Sequence, residues 1–369
     1  MLRCKTKAKV MQKLKEGHLM KRMRVFSLSL VIALVVSALS GCSSQSTGQT
    51  PQGSSTAGEK EYTLQLAGAY PSTGNTPRAL ATQKIKELIE AKSSGKIKVE
   101  VYLDNQLGGD REILEGCQAG NIAMVSQTTA PQVGFVPELA VFDIPMLFEN
   151  LDVARKALSG SFRENLAEKY EKAGLKLLLF EPIYYRETTT NKPINKVEDF
   201  KGLKIRTMEN KYHLAFWKAL GANPTPLNFA ELYVALQQGI VDAQENPYEI
   251  VWSSKFYEVQ KYLVNTHHIA FILSIVMNKD LYDGMPDNYK QIINESMKEA
   301  ADYLFNQAKA QNDQMLASVK EKGMTIIDLT PELRADMEKA GAGVEEMVRQ
   351  DVGDEAVDEL MKAIEAARK

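Results

Sequence analysis

Three features of the sequence predict an α/β fold: alternating apolar hexamers flanking a helical stretch early in the folded region, a repeat of that alternation beyond residue 200, and a length too great for one core. Tyr62–Ala67 (YTLQLA) alternates as a strand, Pro77–Lys92 carries apolar residues at helical spacing, and Ile97–Tyr102 (IKVEVY) alternates again. That is a β-α-β unit, which implies a parallel sheet. Arg111–Gln118 reads as the next helix, Ile122–Ser126 as a buried strand, and Leu175–Phe180 (LKLLLF) as another. Lys204–Arg206 is a short strand; helices follow around Tyr212–Leu220 and over Ala230–Gln238, the second closed by Gly239, and Val241–Gln244 is a strand. From Asp287 to about Lys322 a single long helix is expected, with no proline or glycine between Asp287 and Glu321. About three hundred residues of folded chain exceed one comfortable core, so two domains are expected.

The beginning of the chain is of another kind. Residues 20–42, MKRMRVFSLSLVIALVVSALSGC, join a basic start to an apolar run from Val25 to Leu39 that ends at Ser40, Gly41 and Cys42. The run is short for a membrane span, and the pattern is that of a bacterial lipoprotein signal in which residues 1–41 are removed and Cys42 is lipidated. The signal is complete from Met20, which makes Met20 an alternative start. Residues 42–58 then form a Ser/Gly/Thr/Gln tether with no apolar pattern, and folding is expected from about Glu59. Of the three cysteines, Cys4 falls in the leader and Cys42 carries lipid. Cys117 alone remains, read as a buried, inert thiol with no disulfide partner.

Residues 1–41 hold nine Lys/Arg and one Glu, so of 45 basic and 47 acidic residues 36 and 46 lie beyond them, a net charge near −10. An acidic surface argues against nucleic acid as a partner, and any anion site must be a local positive pocket. There is no G-x-S-x-G, G-x-G-x-x-G, P-loop, C-x-x-C or H-E-x-x-H; beyond the leader the histidines are His213, His267 and His268, and the adjacent pair lacks carboxylates at ligand spacing. No enzyme, cofactor or metal site is expected.

The most informative segment is KGLKIR (Lys201–Arg206) followed by LGANPTPLNFAELYVALQQGIVDAQENP, ending at Pro247. A guanidinium at the end of the strand, Arg206, offers two parallel donors to a carboxylate, or else sits in a surface salt bridge. ALGANPTP, F-x-E-x-Y-x-A-L-Q-x-G and VD-x-QENP stand in the order found in the DctP-like solute-binding subunits of TRAP transporters, which the chain closely resembles. QLGGDRE (Gln106–Glu112), FVPELAVFDIPMLF (Phe135–Phe148), RETTTNKPI (Arg186–Ile194) and SSKFYEVQKYL (Ser253–Leu263) extend the likeness over nearly the whole mature chain.

The resemblance implies a two-lobed periplasmic-binding-protein-like fold, each lobe a β-sheet flanked by helices, with the long helix running along both lobes. Crossings between lobes are expected near Tyr184, near Phe271 and within that helix. Lobe I is then 59–183 with 272–311, and lobe II is 184–271 with 312–369. By the same resemblance Arg206 is the main carboxylate partner, Arg186 a second arginine for the same anion, and Asn246 an amide presented to a carboxylate or hydroxyl. Phe229 is expected against the apolar face of the ligand, or as core packing. From the first lobe Tyr70, after the first strand, and Gln127, after the third, are nominated by position. Glu209 reads as a residue of a helix entrance; facing the cleft instead, it would accept hydrogen bonds from sugar hydroxyls and disfavour a second carboxylate. The expected ligand is a small organic acid, a sugar acid such as a uronate or aldonate ahead of a C4-dicarboxylate, delivered to TRAP membrane permease subunits. The receptor is expected on the outer face of the membrane, held by its N-terminal lipid. An ABC importer or a sensor kinase is the alternative partner.

Overall fold

A computed structural model describes residues 60–369. The signal peptide over 1–41, the alternative start at Met20, the lipidated Cys42 and the linker 42–58 lie outside the described residues. The first β-α-β unit is as expected. β1 (Tyr62–Ala67) and β2 (Ile97–Tyr102) pair in parallel from Tyr62↔Ile97 to Ala67↔Tyr102, joined by α1 (Pro77–Lys92). Thr76 caps α1 by accepting from the Ala79 amide, and Pro77 occupies its first turn, where a missing N–H costs nothing. α2 (Asp110–Gln118) and β3 (Met124–Thr128) follow, β3 parallel to β1.

After α3 (Leu151–Ala157) and α4 (Gly160–Lys172) comes β4 (Leu175–Thr190), which runs well past the expected end at Phe180. Pro182 is accommodated because the ladder shifts register between Pro182 and Tyr184. The polar tail Thr188–Thr190 is buried but satisfied: Thr188 meets Thr266 at 3.3 Å and Thr189 donates to Gln260 at 3.1 Å. Next come β5 (Lys204–Thr207), α5 (Lys211–Ala219), β6 (Asn223–Pro226), α6 (Phe229–Gln237), β7 (Ala243–Asn246) and α7 (Tyr248–Ser253). β8 (Tyr262–Asn278) is antiparallel to β3 and β4, and after α8 (Lys279–Asp283) the long helix α9 (Asp287–Glu321) forms unbroken. β9 (Thr325–Asp328), α10 (Pro331–Val352) and α11 (Asp354–Ala367) complete the chain.

The strand order is β2-β1-β3-β8-β4-β7-β5-β6, with β9 added beside β8. The two halves are therefore not hydrogen-bonded as separate sheets: β4 and β8 run through both and join them. Tyr184 and Phe271, the expected crossing points, are register partners on this ladder. Alternate residues of β8 enter opposite cores. Ile275 and Met277 pack with α1, α6, α7 and α9, while Val276 packs with α4, α5, α10 and α11. At 1.5 Å per residue α9 is about 52 Å long, enough to pack on α1 in one half and α7 in the other. One placement differs from expectation. α11 packs mainly on α3, within the segment assigned to lobe I, because its apolar face (Val357, Leu360, Ile364) completes the core under α3 and α4. Among the described residues no helix is long and apolar enough to cross a membrane.

Candidate functional site

Six of the seven residues singled out from the sequence meet in one small cavity that opens to solvent. Tyr70 and Gln127 come from the first half, and Arg186, Arg206, Phe229 and Asn246 from the second. Strand ends bring them together. Tyr70 and Gln127 lie at the C-terminal ends of β1 and β3, and Arg206 and Asn246 at those of β5 and β7, where α/β sheets present ligand groups.

Arg186, 1% exposed, is held on three sides. Its Nε donates to the Glu245 carboxylate and its Nη2 to Glu245 Oε1 at 3.0 Å, to the Glu245 carbonyl at 2.5 Å and to Asn246 Oδ1 at 3.0 Å. Asn246 is fixed in turn by donating to Gln244 Oε1 at 2.6 Å. Burial alone would raise the Glu245 carboxyl, but Arg186, His213 and His268 outweigh it and hold it well below the usual carboxylate range. Arg206, 2% exposed, donates from Nε and Nη2 to the Leu227 carbonyl at 2.9 and 2.6 Å. Burial, aided by Arg186 and opposed by Glu245 and Asp110, brings it down to about 10, so it stays cationic at neutral pH.

The first half supplies a different wall. The Tyr70 hydroxyl is engaged by Thr82 at 2.7 Å and Ser126 at 3.1 Å, which leaves its ring as the lining surface. Phe229 packs edge-on to Phe256 at 6.3 Å while facing the cavity. Glu209 does not reach the inner space. The cap of α5 is Asn210, which accepts from the Tyr212 and His213 amides, and Glu209 stands outside it, exposed, 3.8 Å from Arg111 in the outer mouth of the cleft. Of the two roles read for it from the sequence, the cap belongs to Asn210, and Glu209 lines the outer mouth beside Arg206 and Phe229 rather than the inner space.

Two lining residues were missed. Arg78, at the second position of α1, and Asp110, at the first of α2, both face this cavity. A cation in the first turn of a helix opposes the helix dipole, and that mismatch was the available signal for Arg78. Asp110 stood in plain view within QLGGDRE but read only as a helix start. Burial raises its carboxyl, against the pull of Arg206, Arg78 and Arg186. The wall also carries four buried polar atoms with no partner among the described residues: Arg78 Nη2, Arg186 Nη1, and both amide atoms of Gln127. Leaving such groups unpaired is costly, and an occupant that supplied acceptors to the arginines and either hydrogen-bonding role to the amide would satisfy them.

Behind Arg186 a buried ionic chain links the halves. His213 Nδ1 is 3.7 Å from Glu245 and its Nε2 3.0 Å from Asp143, while Asn210 donates to Asp143 at 2.7 Å and to the Ala130 carbonyl at 3.0 Å. Burial disfavours the charged ring, but Asp143 and Glu245 prevail and lift His213 to about 9. Because the folded value lies above the unfolded one of about 6.5, this stability is full below about pH 6.5 and is lost as pH rises through about 9, at most about 3 kcal/mol. Urea titrations at pH 6 and 9.5 should show the parent losing stability and His213→Gln losing much less; equal losses would remove this role. Cys117 is buried as expected, its thiol pushed up to about 12 by desolvation.

An α/β chain wrapped around an arginine-lined cleft, with both sheet halves contributing to its wall, has the architecture of a two-lobed solute receptor. Residues 69–351 match the model of the bacterial extracellular solute-binding protein family 7, DctP, and the chain belongs to that family of TRAP transporter receptors. It is 33% identical over 302 residues to the 2,3-diketo-L-gulonate-binding periplasmic protein of Escherichia coli, covering 81% of this chain and 91% of that one. It is also 33% identical to the C4-dicarboxylate-binding periplasmic protein of Rhodobacter capsulatus, over 77% of this chain and 86% of that one. The sugar acid binding protein of Advenella mimigardefordensis, solved with galactonate, superposes with a TM-score of 0.81 at 29% identity, covering 84% of this chain and 99% of that one. These relatives are extracytoplasmic receptors and not enzymes, and so is this chain.

Proposed function

We infer that the receptor captures a small hydroxylated monocarboxylate and passes it to the membrane permease subunits of a TRAP transporter. The carboxylate is taken by Arg186, Arg206 and Asn246, the carbon chain lies along Phe229 and Tyr70, and Gln127 and Asp110 meet the hydroxyls. The observation that carries this reading is the set of unpartnered buried polar atoms on the wall of the arginine-lined cavity. One carboxylate fits better than two, because Asp110, Glu245 and Glu249 already accompany the three arginines, and a second anion would meet the Asp110 carboxyl. The relatives that take diketo-gulonate and galactonate support a sugar acid, and the one that takes C4-dicarboxylates names the competing ligand.

Lobe I is assigned to 59–183 with 272–311 and lobe II to 184–271 with 312–369, α11 being a strap of lobe II chain laid on lobe I. Closing them over the acid excludes water and strengthens each charge contact. Cys42 carries the lipid that holds the receptor at the outer face of the membrane, with residues 42–58 as its tether. The family match favours a TRAP permease over an ABC importer or a sensor kinase as the partner.

Thermal unfolding against a panel of galactonate, gulonate and succinate tests the reading. An acid at a thousandfold excess over its Kd adds about 4 kcal/mol, a clear midpoint shift. Sugar acids should shift the midpoint most and their amides not at all. A flat response to every carboxylate would overturn the assignment.

A further inference from the structure

Arg78 is more than a wall residue. Its side chain is 3% exposed, its Nε donates to Glu249 Oε1 at 2.9 Å, and its guanidinium lies 4.3 Å over the Tyr70 ring. Its Nη2 has no partner. Glu249, on α7, is buried too, so α1 and α7 are tied across the cleft by an ion pair that water does not reach. The Phe271 ring orders the site: the Arg78 guanidinium is 5.3 Å from its centroid and that of Arg186 5.6 Å. Two cations thus border one aromatic ring, within reach of the two ends of a short acid.

We propose that Arg78, clamped by Glu249, is a specificity-determining residue that receives an oxygen at the end of the ligand far from its carboxylate. This rests on the reading of the cavity as a carboxylate site. The free Nη2 can only donate, so the distal group must be an acceptor, a hydroxyl, carbonyl or carboxylate oxygen, and a methyl or ammonium end is rejected. Glu249 already balances the charge of Arg78, so a neutral hydroxyl suffices and a second carboxylate gains little. A ligand without that oxygen leaves a charged donor buried and unpaired, which is the strongest form of discrimination a pocket has.

The test is calorimetric titration of the parent and of the double variant Arg78→Met/Glu249→Leu, which removes both charges together so that neither is stranded. Two ligand pairs serve as probes, galactonate with 6-deoxygalactonate and succinate with butyrate, the members of each pair differing only at the end far from their shared carboxylate. The parent should favour the oxygen-bearing member of at least one pair. In the variant that member should lose about 10- to 100-fold in affinity, while the methyl-ended member keeps its own within about threefold. Arg78→Lys, with charge but no fork, should recover only part of the preference. Equal losses for both members, or none, would overturn the proposal. So would a parent that binds the methyl-ended acids as well as the others, which leaves the carboxylate site standing; a parent that binds none of the four overturns both readings.

Discussion

Arg206→Ala is expected to cost about 3 to 5 kcal/mol of ligand affinity, roughly two to four orders of magnitude in Kd, because it takes from the bound anion one of its two cations in a dry cavity, the other being already engaged by Glu245. The same substitution should barely move the melting temperature of the empty receptor. Among the described residues the hydrogen bonds of Arg206 go to the Leu227 carbonyl, which is half-buried and open to replacement by water, and the attraction of Glu245 and Asp110 is offset by the repulsion of Arg186 and by burial. A large loss of affinity beside a small loss of stability marks a residue kept for its ligand. Calorimetry showing parent-like binding by Arg206→Ala would remove it from the site, and an equally large stability loss would mark it as scaffold.

How much of this was legible follows from the range over which each signal acts. Arg206, Arg186 and Asn246 stand in motifs whose neighbours in sequence are neighbours in space, since β5, β7 and the end of β4 pair directly. Tyr70 and Gln127 could be nominated because strand ends are short-range features and α/β sheets gather them at one edge. Arg78 carried only the weak signal of a cation in a first helical turn, as its meaning comes from Glu249, 171 positions away. Glu209 shows the limit of a local reading: it reads as a residue of a helix entrance, but the Asn210 side chain takes the cap and Glu209 is left at the outer mouth of the cleft. The long central strands were hidden for another reason. Apolar periodicity marks strands that face a core, and the polar end of β4 is buried against Thr266 of β8, Gln244 of β7 and Gln260 through side-chain hydrogen bonds that no period encodes.

Arg186→Met is expected to damage both binding and folding, and the two can be separated. Glu245 is fully buried and relies chiefly on Arg186 to stay ionised, so removing the guanidinium strands a carboxylate at a cost of about 3 to 5 kcal/mol, a large share of the roughly 5 to 15 kcal/mol that holds a domain together. Stranded, Glu245 takes up a proton more readily. With burial no longer outweighed, its folded pKa rises above the unfolded value, so the variant should be relatively more stable at pH 5 than at pH 8, whereas the depressed carboxyl of the parent contributes stability that is kept above the unfolded pKa. Replacing both members, Arg186→Met with Glu245→Gln, leaves no charge to strand and should restore most of the unfolding free energy while binding stays lost. Urea unfolding of the three proteins at the two pH values, with calorimetry on each, reads all of this. A double variant as unstable as the single one would show that Glu245 is not what Arg186 protects, and a single variant that still binds acids like the parent would leave Arg206 to carry the anion alone.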